Sequence, residues 1–154
     1  MRKLNLKITM LCVTALFAVS SMVTGCSKKK DDEPTGQGAI EAAVGTYKGK
    51  ISVYEQIPGD NRWEFFDAII VVSKEGNDKL KIAAKSGEAY SGITSKTFTV
   101  EAGAFFGQAP VDVISKIGSV EGMFAYYGSN KTITVVTQKQ GANEIHYSFD
   151  GTKQ

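Results

Sequence analysis

The stretch VEGMFAYYGSNKTITVVTQKQGANEIHYSFDG, Val120–Gly151, carries three runs rich in β-branched and aromatic residues. They are cut by two groups of turn residues, Gly128-Ser129-Asn130 and Lys139-Gln140-Gly141-Ala142-Asn143. Runs of this composition between such breaks are expected as strands: Val120 to Tyr127, Lys131 to Gln138 and Glu144 to Gly151. Ile133 and Val135 are expected to face one way, with Ile145, Tyr147 and Phe149. Each strand therefore has one apolar face, and the two apolar faces turn the same way. Three strands joined by short turns form part of an antiparallel meander.

The same texture extends back toward the N-terminus. Tyr47, Gly49, Ile51 and Val53 alternate with Lys48, Lys50 and Ser52, so one face is expected buried and the other wet. Ile57-Pro58-Gly59-Asp60-Asn61 reads as a turn. The run Arg62 to Ser73 follows, apolar on both faces from Ala68 to Val72, and is expected to lie centrally, covered on both sides. After a turn at Lys74-Glu75-Gly76-Asn77-Asp78, Leu80, Ile82 and Ala84 alternate with Lys79, Lys81 and Lys85, and a fourth run centres on Phe98 and Val100.

Residues 102–119 are ambiguous. Pro110 before Val111, Ile114 and Ile117, with Gly118 behind, favours a short helix or irregular cover, while Val111-Asp112-Val113-Ile114 also fits a strand. The fold expected is all-β, an antiparallel up-and-down meander of about eight strands. Closing such a meander into a barrel removes its exposed edges.

Ahead of the strands the composition is different. Arg2, Lys3 and Lys7 precede Ile8–Val23, which is almost wholly apolar or small, and the small pair Thr24-Gly25. This is the layout of a secretory signal, and a charged run, Lys28 to Glu33, follows at once. The box Val23-Thr24-Gly25-Cys26 resembles the end of bacterial lipoprotein signals at every position. The resemblance implies cleavage after residue 25, leaving a lipid on Cys26 and palmitate among its acyl chains. An anchor of two or more chains holds firmly.

Lys30-Asp31-Asp32-Glu33 is similar to the acidic tract of Bacteroidetes lipoproteins displayed outside the outer membrane. The implied location is the outer membrane, at the cell surface, with its periplasmic face as the alternative. Residues 26–43 are then read as lipidated Cys and flexible charged tether, with Pro34, Gly36, Gln37 and Gly38 among the charges. Residues 44–154 form the single domain, enough for one core and not comfortably for two.

Cleavage changes the balance of charge. The chain carries 18 Lys+Arg against 16 acids, and losing Arg2, Lys3 and Lys7 leaves 15 against 16, a formal charge of −1. No basic face supports a nucleic-acid partner. Of the two cysteines, Cys12 is in the signal and Cys26 is committed to lipid, so the mature domain has no disulfide to lean on.

Val44-Gly45-Thr46-Tyr47-Lys48-Gly49 directly after a tether, and a last strand ending Phe149-Asp150-Gly151-Thr152-Lys153, resemble the lipocalin-like or calycin-like lipoproteins of the Bacteroidetes. The resemblance spans roughly residues 44–154 and rests on the two ends. It implies a barrel whose glycines let the first and last strands bend at closure, and ligand binding in the mouth in lipocalin relatives. Eight strands leave room either for packed side chains or for one small ligand.

Catalytic chemistry is sparse. His146 is the only histidine, and no nucleophile elbow, phosphate loop or metal motif accompanies it. Asp60, Glu64 and Asp67 read as turn and strand-face charges. Neither an enzyme, a cofactor nor a metal is expected. Aromatic clusters stand out instead: Trp63, Phe65 and Phe66 near one turn, Phe105-Phe106, and Tyr126-Tyr127.

Trp63, Phe105, Phe106 and Tyr126 are the candidate ligand-binding residues, for a small apolar molecule, glycan or protein at the barrel mouth. The alternative is a structural subunit with a filled barrel. Ser86-Gly87-Glu88-Ala89-Tyr90 is also similar to the Ser-Gly-rich loop of membrane-bound lysozyme inhibitors, although their disulfide is missing here.

Overall fold

The computed structural model describes residues 36–54, 62–106 and 111–154. The signal, Cys26, the N-terminal part of the tether, the turn expected at 57–61 and Pro110 lie outside the described residues. A helix α1 (Gly36–Ala42) precedes eight strands. The strands are β1 (Gly45–Tyr54), β2 (Arg62–Lys74), β3 (Lys79–Ala84), β4 (Lys96–Gly103), β5 (Asp112–Ser115), β6 (Gly122–Tyr127), β7 (Thr132–Thr137) and β8 (His146–Lys153).

Each strand pairs antiparallel with the next, and β8 returns to β1 from Tyr47↔Lys153 to Tyr54↔His146, closing the barrel. Closure leaves no exposed sheet edge. The inward face collects the alternating apolar residues. Tyr47, Ile51, Ile70, Leu80, Ile82, Phe98, Phe124, Ile133, Tyr147 and Phe149 are all fully buried. The three strands expected in Val120–Gly151 form, with Ile133, Val135, Tyr147 and Phe149 inward.

The two ends of the barrel differ. The starts of β1, β3, β5 and β7 share one end with α1. The connections 85–95, 116–121 and 138–145 lie at the other, which is the mouth.

The helix α1 corrects the reading of residues 26–43 as tether throughout. Ala39 and Ile40 in it, and Ala43 just after, are buried in the core. Lys153 Nζ donates to the Ala42 carbonyl at 2.7 Å, and Lys74 pairs with Glu41 at 2.8 Å. The Tyr47 hydroxyl, from inside the barrel, donates to the Ala43 carbonyl at 2.8 Å. A helix of seven residues is too short to stand alone or to show periodicity, so tertiary burial makes it.

Two further expectations change. β2 is covered on one face only: Val71 is 38% exposed and Ile69 half-buried, because the outside of a closed barrel meets solvent. The helix favoured within 102–119 gives way to the strand alternative. Val113 pairs with Ala102 on β4 and with Tyr126 on β6. A helix there would leave open the ladder edges of β4 and β6.

Candidate functional site

The site begins with an irregularity in β2. Between the pairs Gly49↔Ala68 and Ile51↔Phe65, β1 has one residue, Lys50, and β2 has two, Phe66 and Asp67. Side chains alternate along a strand, so this β-bulge changes which set faces inward. Inward positions run Val72, Ile70, Ala68, then Phe65 and Trp63. Without the bulge, Phe66 and Glu64 would face the axis. Phe66 instead lies exposed on the outer wall, with the Lys50 ammonium 5.3 Å from its ring centroid.

Phe65 meets Tyr90 from the 85–95 connection, ring centroids 5.4 Å apart. The local reason is the shortness of β3. Its last pair is Ala84↔Ile70. Beyond it the Ile69 carbonyl accepts from the Lys85 N–H at 3.0 Å and the Ile69 N–H donates to the Tyr90 hydroxyl at 2.7 Å. Tyr90 thus takes the place of a strand partner where the ladder stops.

The far end of the same connection is pinned to the 138–145 connection. Thr94 N–H donates to the Ile145 carbonyl at 3.1 Å, and Ile145 N–H to Thr94 Oγ1 at 2.9 Å. Lys96, buried at the start of β4, donates to Glu144 Oε2 at 2.6 Å. That bond, and the Gln140 N–H at 2.8 Å, hold the Glu144 carboxyl below the usual carboxylate range.

Between these parts lies an open cavity of about 350 Å³. Val53, Trp63 and Phe65 wall it from β1 and β2, Ala89, Tyr90, Gly92 and Ile93 from the connection, and Ile145 from just before β8. Trp63, 58% exposed, stands at its rim. The wall is nearly all hydrocarbon and aromatic ring, which suits non-covalent uptake of an apolar molecule.

Of the four candidate residues, the structure brings Trp63 alone to this cavity. Tyr126 is buried and points into the core between Val113 and Ile133. Burial, and then the Asp112 carboxylate, push its phenol up. Phe105 and Phe106 are exposed in the connection after β4, at the α1 end. Phe106 packs on Tyr127 with centroids 4.7 Å apart, and its N–H donates to Asp112 Oδ2 at 3.0 Å.

The sequence singled out the Trp63 cluster but missed Val53, Ile93 and Ile145. These are ordinary alternating or loop apolars with no local mark of a site. Tyr90 carried a signal, the Ser86–Tyr90 loop, although its hydroxyl is engaged with β2.

His146 is apart from the cavity, on the outer face, stacked on Tyr54 at 5.2 Å. Burial, with Lys139 nearby, lowers its pKa. Among the described residues no group of three or more His, Cys, Asp and Glu side chains converges on a point. Neither a family model, a curated protein nor a solved structure matches the chain, so the cavity's own geometry carries the argument about what it does.

Proposed function

We propose that this chain is a lipocalin-like lipoprotein of the outer membrane, held at the cell surface by a lipid on Cys26, whose barrel mouth binds a small apolar ligand without catalysing a reaction. The observation that carries this reading is the apolar cavity at one end of a barrel whose other end is plugged by α1. Among the described residues, one end covered by α1 and one end with an aromatic-rimmed cavity make a cup. The tether joins the barrel at α1, the end opposite the mouth.

The second reading, a structural subunit with a filled barrel, draws support from the middle layers, where Tyr47, Phe98, Phe124, Tyr147 and Phe149 leave no exposed surface. The two readings part on one measurement. Titration of the protein with an apolar fluorophore is expected to saturate, and Trp63→Ala to weaken binding by about tenfold, the loss of one aromatic wall. No saturable binding would remove the ligand reading and leave the structural one.

A further inference from the structure

The layer beneath the cavity holds a polar group that no described residue satisfies. Tyr147 on β8 points inward two residues below Ile145 and is paired directly with Val53. Both of those residues are walls of the cavity. The Tyr147 ring is fully buried, and its hydroxyl has no hydrogen-bond partner among the described residues. Phenylalanine would fill the same space without the cost of closing off a hydroxyl. The same burial pushes the phenol up, so it remains a donor across the ordinary pH range.

The polar side chain bonded to its backbone is already engaged. Thr137 Oγ1 accepts from the Tyr147 N–H at 2.7 Å and donates to the Tyr147 carbonyl at 3.0 Å. Elsewhere among the buried polar side chains, Ser115 Oγ accepts from the Phe124 N–H at 3.1 Å, and the Lys96 ammonium is paired with Glu144. The Tyr147 hydroxyl is thus a neutral donor without a partner among the described residues, under an apolar cup.

We propose that the cavity takes an amphiphile head first, with its apolar body against Trp63, Phe65 and Tyr90 and a neutral hydrogen-bond-accepting oxygen on the Tyr147 hydroxyl. The inference rests on the binding reading above and specifies its ligand class. A ketone, ester or ether oxygen suits a single donor. A carboxylate does not, because among the described residues the buried cation at this end, Lys96, is already paired with Glu144. The hydroxyl is buried and does not line the cavity, so the assignment includes a movement of wall side chains that uncovers it as the head group enters.

Equilibrium dialysis of the protein against 2-acetylnaphthalene and 2-ethylnaphthalene tests this, since the two probes share a shape and differ in the acceptor oxygen. Tyr147→Phe is expected to weaken the ketone by about tenfold and to leave the hydrocarbon unchanged. The variant loses no hydrogen bond among the described residues and removes a buried unpartnered hydroxyl, so its thermal unfolding should fall no lower than that of the wild type. Equal change for both probes, or change for neither, overturns the assignment while leaving the cavity reading standing. Failure of the wild type to bind either probe overturns both.

Discussion

At the residue scale, the seam between β1 and β8 turns on two glycines that face each other, Gly49↔Gly151. A Cβ on Gly49 would strike the Asp150 carbonyl and the Gly151 Cα, both backbone. A Cβ on Gly151 would strike the Phe149 ring and, at 2.9 Å, the Lys48 carbonyl oxygen. The Phe149 ring covers the space that the absent Gly151 side chain leaves. Gly49→Ala is therefore expected to cost about 2–3 kcal/mol or more in urea unfolding, since backbone on both strands must shift. The family resemblance implied a glycine near each closing strand without choosing between Gly45 and Gly49, and nothing local told that Gly49 and Gly151 would meet.

Asp112 shows the opposite case. Read inside a short helix it had no evident task. The structure buries it with Oδ1 accepting from the Gly128 N–H at 3.0 Å and Oδ2 from the Phe106 N–H. It ties two connections together at the α1 end, and such a partnership depends on residues far from it in sequence.

At the element scale, β5 is four residues long, and its pairs with β6 are Val113↔Tyr126 and Ile114↔Ala125. A segment this short shows too little alternation to be told from a helix turn. Only the open edges of β4 and β6 on either side select the strand. The same holds for α1, whose Ala39 and Ile40 are too few to signal an amphipathic face. The bulge in β2 is likewise invisible locally, because Trp63-Glu64-Phe65-Phe66 reads as aromatic on either face. It decides whether Phe65 or Phe66 reaches the cavity.

The two connections that wall the mouth are joined through Lys96 and Glu144, and this makes them sensitive to acid. The Glu144 carboxyl titrates below its ordinary value in the folded barrel, first because the Lys96 ammonium donates to it and then because the Gln140 N–H does. Its contribution is complete above that ordinary value of 4.5 and is lost as the pH falls through the lower folded value. Acidification from about pH 6 to below about pH 4 should lower Tm through this pair. Glu144→Gln, already less stable at neutral pH because Lys96 is left buried beside a neutral group, should show a shallower acid limb in the same thermal scans. An unchanged acid limb would show that the pair does not hold the two connections together.

At the scale of the whole molecule, the anchor and the barrel are separate problems. If Cys26 carries the lipid, metabolic labelling with palmitate should be incorporated by the wild type and lost in Cys26→Ala, with the barrel fold unchanged because Cys26 precedes α1. Protease treatment of intact cells should then degrade the barrel if it faces outward, and spare it until the outer membrane is broken if it faces the periplasm.

Sequence by itself determined the all-β class, the antiparallel order of strands and most of the turns. Alternation and turn chemistry are local properties that a few consecutive residues carry. It also marked Trp63 as part of an aromatic cluster. The tertiary structure decided which end is plugged, that β5 is a strand, that the bulge aims Phe65 and Trp63 at the mouth, and that Phe105, Phe106 and Tyr126 lie away from it. Each of these outcomes follows from contacts between segments distant along the chain, and no window of sequence contains them.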